Sequence, residues 1–179
     1  IFAYGSLLWN PCFPVEEERI GTVHGWHRRF CFWLTRWRGT RERPGLMLAL
    51  DRGGSCRGVL CRIAAENRDA AVDSLLQREM GPTPPTNVPR WVSVRSGNHR
   101  MRAIAFVADP SGPARALAAG DIGSCADYLR NAVSSLEHRN IRDRNLWRLQ
   151  ARVAAYIAAL DTGQPLPLCR PEVSHACEG

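Results

Sequence analysis

The sequence predicts an α+β domain built on a closed or nearly closed antiparallel sheet. Segments rich in β-branched and aromatic residues dominate the first half of the chain, and apolar residues with helical periodicity dominate the second half. Glycine-containing turns separate successive strands and favour antiparallel hairpins. The chain has 179 residues, enough for one domain with its own core. We therefore expect a single domain over residues 1–165, followed by a C-terminal tail over residues 166–179.

The predicted strands follow in chain order from the N-terminus. They cover residues 1–4, two segments within residues 21–34, and residues 46–50, 56–63, 91–94 and 101–107. A break near Gly25 divides the second region into two strands. Gly53-Gly54 predicts a turn that joins the strands on either side of it as a hairpin, and Gly97-Asn98 predicts another.

Three helices are predicted among and after these strands. They span residues 67–80, a segment that begins near residue 124, and about residues 143–160. Gly81-Pro82 ends the first helix. One face of this helix carries the residues at positions i, i+3, i+4 and i+7, which are Val72, Leu75, Leu76 and Glu79.

The net charge of +7 comes from arginine alone, because the 24 residues of the Lys+Arg count include no Lys. These arginines are scattered along the chain and form no basic stripe, so we do not expect a nucleic-acid partner. A diffuse positive field still attracts an acidic small molecule. The charge pattern therefore favours a small-molecule ligand.

The cysteines favour a cytoplasmic protein with reduced thiols, since the seven of them form no CxxC pair. No stretch of about 20 apolar residues is present and no signal peptide is visible, so we expect no membrane partner. His24 and His27 lie three residues apart without a third ligand nearby, and we expect no metal site.

The first candidate site is Tyr4-Gly5-Ser6-Leu7, at the end of the first predicted strand. Glycine permits a positive φ and close approach of a ligand to the backbone. A run of N–H groups just past a strand can bind an anion. An ordinary connection between a strand and a turn is the alternative interpretation.

The second candidate is Glu79, a carboxylate on the apolar face of the first predicted helix. Burial of an unpaired carboxylate is costly, and the last turn of a helix is an unfavourable place for an anion. Both effects raise the pKa of a carboxyl, as a general base that works near neutral pH requires. A buried ion pair, with Arg78 or another arginine, explains the same position equally well.

Several separate motifs occur in the order found in one known family. They are residues 2–11 (FAYGSLLWNP), residues 25–31 (GWHRRFC), the loop with Arg38-Gly39-Thr40 and Arg43-Pro44-Gly45-Leu46, the segment Arg78-Glu79-Met80, then Trp91, Asp109-Pro110 and Tyr128-Leu129. Together they resemble the ChaC family, the glutathione-specific γ-glutamylcyclotransferases. The similarity covers nearly the whole chain.

The resemblance implies a small β-barrel with flanking helices, and cleavage of glutathione to 5-oxoproline and cysteinylglycine without a cofactor. It implies Glu79 as the catalytic acid/base and a γ-glutamyl-binding segment around the first candidate site. That segment consists of Ala3, Tyr4, Gly5, Ser6, Leu7 and Leu8. No metal ligand is implied.

Two departures from the family pattern bear on the substrate. Ala3 stands where family members commonly have Gly, and residues 81–87 are rich in Pro and lack a Tyr found there in many members. Cyclisation of another γ-glutamyl amide, or a non-catalytic γ-glutamyl-binding module of the same fold, therefore stay as alternatives. A weaker alternative is that His24 or His27 acts as the catalytic base. For Tyr128, the hydroxyl points either into the pocket or into the core.

Overall fold

The main structural feature is a five-stranded antiparallel sheet. The protein is represented by a computed structural model that describes residues 1–34, 45–80, 87–108 and 125–162. The strands are β1 (Phe2–Ala3), β2 (Glu17–Leu34), β3 (Gly45–Arg62), β4 (Asn87–Ser96) and β5 (His99–Ala108), in the spatial order β1-β3-β2-β4-β5. The predicted α+β class agrees with this sheet and three helices.

The long pair β2 and β3 differs from the sequence-based prediction. Each is one strand of 18 residues, and they pair from Glu17 opposite Arg62 to Leu34 opposite Gly45. The hairpin predicted around Gly53-Gly54 is wrong, because both of its segments belong to β3. Gly25, Gly53 and Gly54 have positive φ values of 79°, 97° and 64°, and the register shifts between His24 and Trp26. The glycines therefore form a β-bulge that bends two continuous strands instead of reversing one chain.

The expected closure of the sheet is also wrong. Phe2, Val23, Leu50, Val94 and Val107, one from each strand, pack in one buried cluster, so the sheet is strongly curved. No strand pairing among the described residues joins the two edges, β1 and β5. The sheet is therefore open and not a barrel.

The three helices are α1 (Arg68–Met80), α2 (Cys125–Glu137) and α3 (Arg144–Thr162). None of the helices in the described part of the chain is long and apolar enough to cross a membrane. The chain divides into two compact units, residues 1–143 with the sheet, α1 and α2, and residues 144–179 with α3. A single domain over residues 1–165 stays a prediction, and the predicted tail lies outside the described residues.

The buried stripe of α1 differs slightly from the predicted face. Ala71 and Leu75 are buried, Val72 is half-buried, and Leu76 is 38% exposed. The stripe is thus rotated by a fraction of a turn from the row that begins at Val72. Glu79 still lies at its edge, where a side chain can reach both the protein interior and a cavity.

Candidate active site

A cavity with about 370 Å³ of atom-free space, part of it open to solvent, lies where the end of β1 faces α1, β5 and α2. Its apolar lining residues are Phe2, Leu7, Met47, Leu48 and Phe106, and the others are Tyr4, Gly5, Ser6, Glu79, Asn87 and Tyr128. Five of the seven predicted site residues therefore meet at one cavity.

The candidate binding segment forms a tight turn. β1 ends at Ala3, and Ser6–Leu8 forms a single 3-10 turn in which Leu8 donates from its N–H to the Gly5 carbonyl at 2.9 Å. Ala3 is buried and pairs with Val59, and Leu8 is buried; neither lines the cavity. The four residues from 4 to 7 do line it, and we call this segment the 4–7 turn. The first N–H groups of such a helical turn have no partner within the turn itself.

Gly5 contributes space instead of an unusual backbone angle. Its φ is −137°, so the positive φ that glycine permits is not used here. A Cβ atom at this position would lie 3.4 Å from the Tyr128 hydroxyl and 3.7 Å from a methyl carbon of Leu48. Any larger residue would therefore narrow the cavity next to the backbone.

The buried residue Arg28 holds the start of the 4–7 turn. Its guanidinium donates from Nε to the Tyr4 carbonyl at 2.7 Å, from Nη1 to Asp143 Oδ2 at 2.9 Å, and from Nη2 to the Arg57 carbonyl. Its side chain is only 2% exposed. An arginine fork satisfied on all sides fixes the geometry of the groups around it. Arg28 therefore positions the turn against β3.

Tyr4 and Tyr128 add two hydroxyl-bearing rings to the cavity. Tyr4 donates from its hydroxyl to the Phe106 carbonyl at 2.5 Å. Burial raises the pKa of Tyr4 well above its ordinary value, and the nearby Glu79 charge adds to the rise, so the ring stays neutral at neutral pH. Tyr128 is buried with its ring edge-on to Trp9 and Phe30, at 5.2 and 5.9 Å between centroids, yet it also lines the cavity. Tyr128 therefore both packs in the core and lines the cavity, the two positions that the sequence left open.

Glu79 lies in the last turn of α1, with 14% of its side chain exposed. Two side chains contact the carboxylate: Arg78 Nε is 3.5 Å from Oε1, and Asn87 Nδ2 donates to Oε2 at 3.2 Å. Arg78 also donates to Ser6 Oγ at 3.0 Å and to the Asn10 carbonyl. The end of α1 is therefore joined to the 4–7 turn through Arg78.

The electrostatics of Glu79 combine the two interpretations that the sequence left open. Burial raises the pKa of the Glu79 carboxyl, while the Arg78 charge and the Asn87 hydrogen bond oppose the rise. The pKa is raised overall, so the desolvation penalty is larger than the combined effect of both partners. An ion pair is present, and the carboxyl can still accept a proton more readily than an exposed one.

Arg28 and Asn87 are cavity or turn residues that sequence reasoning did not single out. Arg28 stands between His27 and Arg29, and its polar neighbours conceal that it alone points inward. Asn87 directly follows the proline-rich stretch, where an asparagine is ordinary turn chemistry. Residues 81–86, which the substrate question concerns, lie outside the described residues.

His24 and His27 do not line the cavity. His24 is exposed, and His27 Nδ1 is 3.1 Å from the Gly53 carbonyl at the bulge. Within the described ranges, no three His, Cys, Asp or Glu side chains come together in a group that can hold a metal ion.

Comparison with known proteins extends over most of the chain. The family model for ChaC-like proteins matches residues 1–156 of this chain. The chain is 36% identical over 172 residues to a glutathione-specific gamma-glutamylcyclotransferase of Escherichia coli (strain K12), which covers 88% of this chain and 74% of that protein. It is also 34% identical over 117 residues to glutathione-specific gamma-glutamylcyclotransferase 1 of Mus musculus. That match covers 63% of this chain and 52% of the mouse protein.

A crystal structure of a glutathione-specific gamma-glutamyl cyclotransferase from yeast has the same fold. Its TM-score is 0.75, over 87% of this chain and 95% of the yeast chain, at 18% sequence identity. The extent of the family match and the identity to the E. coli protein agree with the motif order in the sequence. This chain belongs to the ChaC-like protein family.

Proposed function

We propose that the chain is a γ-glutamylcyclotransferase that cleaves glutathione to 5-oxoproline and cysteinylglycine. The observation that carries the proposal is the position of Glu79, whose side chain is mostly buried at a cavity that the 4–7 turn also lines. The names of the relatives from E. coli and mouse support glutathione as the substrate. We further propose that the protein acts in the cytoplasm, which the cysteine pattern supports, on a small molecule and without nucleic-acid or membrane partners.

In the proposed reaction, the α-amine of the γ-glutamyl group attacks its own γ-carbonyl. The amine is mostly an ammonium ion at neutral pH, so Glu79 first takes one proton from it. A carbon–nitrogen bond then forms and closes the five-membered ring. Glu79 returns its proton to the cysteine nitrogen as the bond to that nitrogen breaks. The ring nitrogen still holds one proton more than the lactam keeps, and Glu79 passes this second proton to the leaving amine, which departs as an ammonium ion. One carboxyl near both nitrogens thus completes the cycle with no net change in the protein.

The 4–7 turn has a separate part in this proposal. Negative charge develops on the γ-carbonyl oxygen as the amine adds, and backbone N–H groups can stabilise it. The N–H groups of residues 5–7 are the proposed donors. The apolar lining keeps the flexible glutamyl chain folded in a geometry close to the cyclised product, which lowers the entropic cost of ring closure.

We expect the purified chain to release 5-oxoproline and cysteinylglycine from glutathione in equal amounts. An end-point assay of both products tests this, with a Glu79→Gln preparation as the negative control. The same assay with other γ-glutamyl amides and amines tests the substrate preference that residues 81–87 leave open. Release of 5-oxoproline from one of those compounds alone would replace glutathione as the substrate, and no release from any would favour a binding module.

We expect chelators to leave the rate of 5-oxoproline release unchanged. The proposed steps need only a carboxylate and backbone donors, and His24 and His27 have no third ligand near them in the sequence. The measurement is the initial rate before and after dialysis against EDTA. Activity that disappears in EDTA and returns with zinc or magnesium would contradict the metal-free mechanism.

A further inference from the structure

Asn87, the first residue of β4, has an amide group that is only half satisfied. The residue is 3% exposed, and its Oδ1 atom is buried without a hydrogen-bond partner among the described residues. Its Nδ2 atom donates to Glu79 Oε2 at 3.2 Å. Buried amide oxygens are nearly always paired in folded proteins, so an orphaned one calls for a specific explanation.

The direction of this amide follows from its neighbour. An ionised carboxylate only accepts hydrogen bonds, so the NH2 group of Asn87 must face Glu79. The amide oxygen therefore faces away from Glu79. Asn87 also lines the cavity, beside Glu79 and the 4–7 turn. Asn87 and Glu79 thus both line the cavity, and Oδ1 is the one acceptor of the Asn87 side chain that has no partner among the described residues.

We propose that Asn87 Oδ1 accepts a hydrogen bond from the α-ammonium group of a bound γ-glutamyl compound; this inference rests on the proposed function. A primary ammonium has three N–H donors and no acceptor. Glu79 accepts from one N–H, and Asn87 accepts from a second. The pair selects substrates with a free α-ammonium and disfavours those in which this nitrogen is acylated or missing.

The same contact also orients the nitrogen for reaction. Once Glu79 has taken its proton, the amine keeps two N–H bonds and gains a lone pair. A hydrogen bond from one of them to Asn87 restricts rotation about the Cα–N bond and holds the lone pair toward the γ-carbonyl carbon. Asn87 is thus a residue that contacts the substrate and assists ring closure without exchanging a proton.

The test measures ligand binding in the Glu79→Gln background, where turnover does not consume the ligand. Calorimetric Kd values are determined for glutathione and for an analogue in which a glutaryl group replaces the γ-glutamyl group and removes only the amine. We expect Asn87→Leu to weaken glutathione binding by roughly 10- to 100-fold, the range for a hydrogen bond to a charged group. Binding of the analogue should change by less than about threefold, since it lacks the donor.

Asn87→Asp provides the conservative arm of the test, and it carries the proposal if the Leu variant does not fold. Asp retains an acceptor oxygen at this position and adds a charge that attracts an ammonium group. The preference for glutathione over the analogue should therefore increase. An unchanged preference in Asn87→Asp, or equal weakening of both ligands in Asn87→Leu, would overturn the assignment. Asn98→Leu, in the exposed turn between β4 and β5, is the matched control and should alter neither Kd.

Stability and turnover measurements separate this inference from the proposed function. Asn87→Leu removes an unpaired buried oxygen together with the Nδ2 donor to residue 79, and these effects oppose each other, so its unfolding midpoint should stay close to that of the parent. A lower midpoint with an unchanged ligand preference would identify Asn87 as structural only. If the unmodified chain releases no 5-oxoproline but substitution of Asn87 still changes the preference between the two ligands, the proposed reaction is contradicted. The assignment of Asn87 to an ammonium-binding site is then retained.

Discussion

Glu79→Gln is expected to lower the rate of 5-oxoproline release by about 100-fold or more, the scale of general acid–base catalysis. Gln has nearly the same size and still forms hydrogen bonds, but it cannot take a proton from the α-ammonium at neutral pH. The fold should be as stable as the parent or more stable. The pKa of the Glu79 carboxyl is raised by burial, so ionisation of this group costs stability as the pH rises above its unfolded value. Gln removes that cost.

The measurement pairs the product assay with a denaturant unfolding curve on the same preparation. Glu66→Gln, the same substitution at an exposed position before α1, is the matched control and should leave rate and stability unchanged. A folded Glu79→Gln variant with near-normal turnover would exclude Glu79 as the base. Destabilisation by several kcal/mol would instead favour a structural ion pair with Arg78, because loss of one partner leaves the other charge uncompensated.

Arg28→Met is expected to destabilise the fold by about 3–5 kcal/mol, the usual cost of breaking a buried ion pair on one side. Met retains much of the aliphatic volume but donates no hydrogen bond. Tyr4, Arg57 and Asp143 would each lose the guanidinium contact described above. Because Tyr4 begins the 4–7 turn, the fraction that still folds should also have a higher KM for glutathione.

Arg29→Met provides a precise comparison for this variant. Arg29 is the next residue in β2, its side chain is 60% exposed, and it pairs with Asp51 at 3.3 Å. Asp51 is buried, but it keeps the hydrogen bond from the Arg52 N–H at 2.8 Å when Arg29 is removed, so the control should cost clearly less stability than Arg28→Met. Midpoints from urea unfolding at constant m-value give the difference in free energy. Similar effects of the two substitutions would contradict the role assigned to Arg28.

The sequence predicted the burial of Glu79 better than it predicted the sheet. The helical spacing predicted that Glu79 lies near the buried face of α1, and its side chain is indeed mostly buried. Leu76 is exposed because the buried stripe is rotated by a fraction of a turn from the predicted row. Such a small rotation still leaves a residue at the edge of the stripe partly buried. The hairpin at Gly53-Gly54 was wrong for a different reason. Adjacent glycines with positive φ suit a tight turn and a bulge equally well, and only the long pairing of β2 with β3 decides between them.

Arg28 shows why part of the site was beyond sequence reasoning. Val23 points inward before the bulge at Gly25, and strict alternation would then place odd-numbered residues inside. The irregular backbone at Gly25, whose φ is 79°, interrupts this alternation, so Arg28 is buried and Arg29 is exposed. The position of a bulge depends on the partner strand, which a pattern read along one strand does not contain.

The contacts of Arg28 also determine when the candidate site can be completed during synthesis of the protein. Tyr4 and Arg28 are 24 residues apart, but Asp143 follows Arg28 by 115 residues. At a synthesis rate of roughly 5–20 residues per second, Asp143 is added roughly 6–23 s after Arg28. Until then the arginine that holds the 4–7 turn lacks its carboxylate partner. The contacts that hold the 4–7 turn are therefore completed late in synthesis, only after the residues that end the first unit have been added.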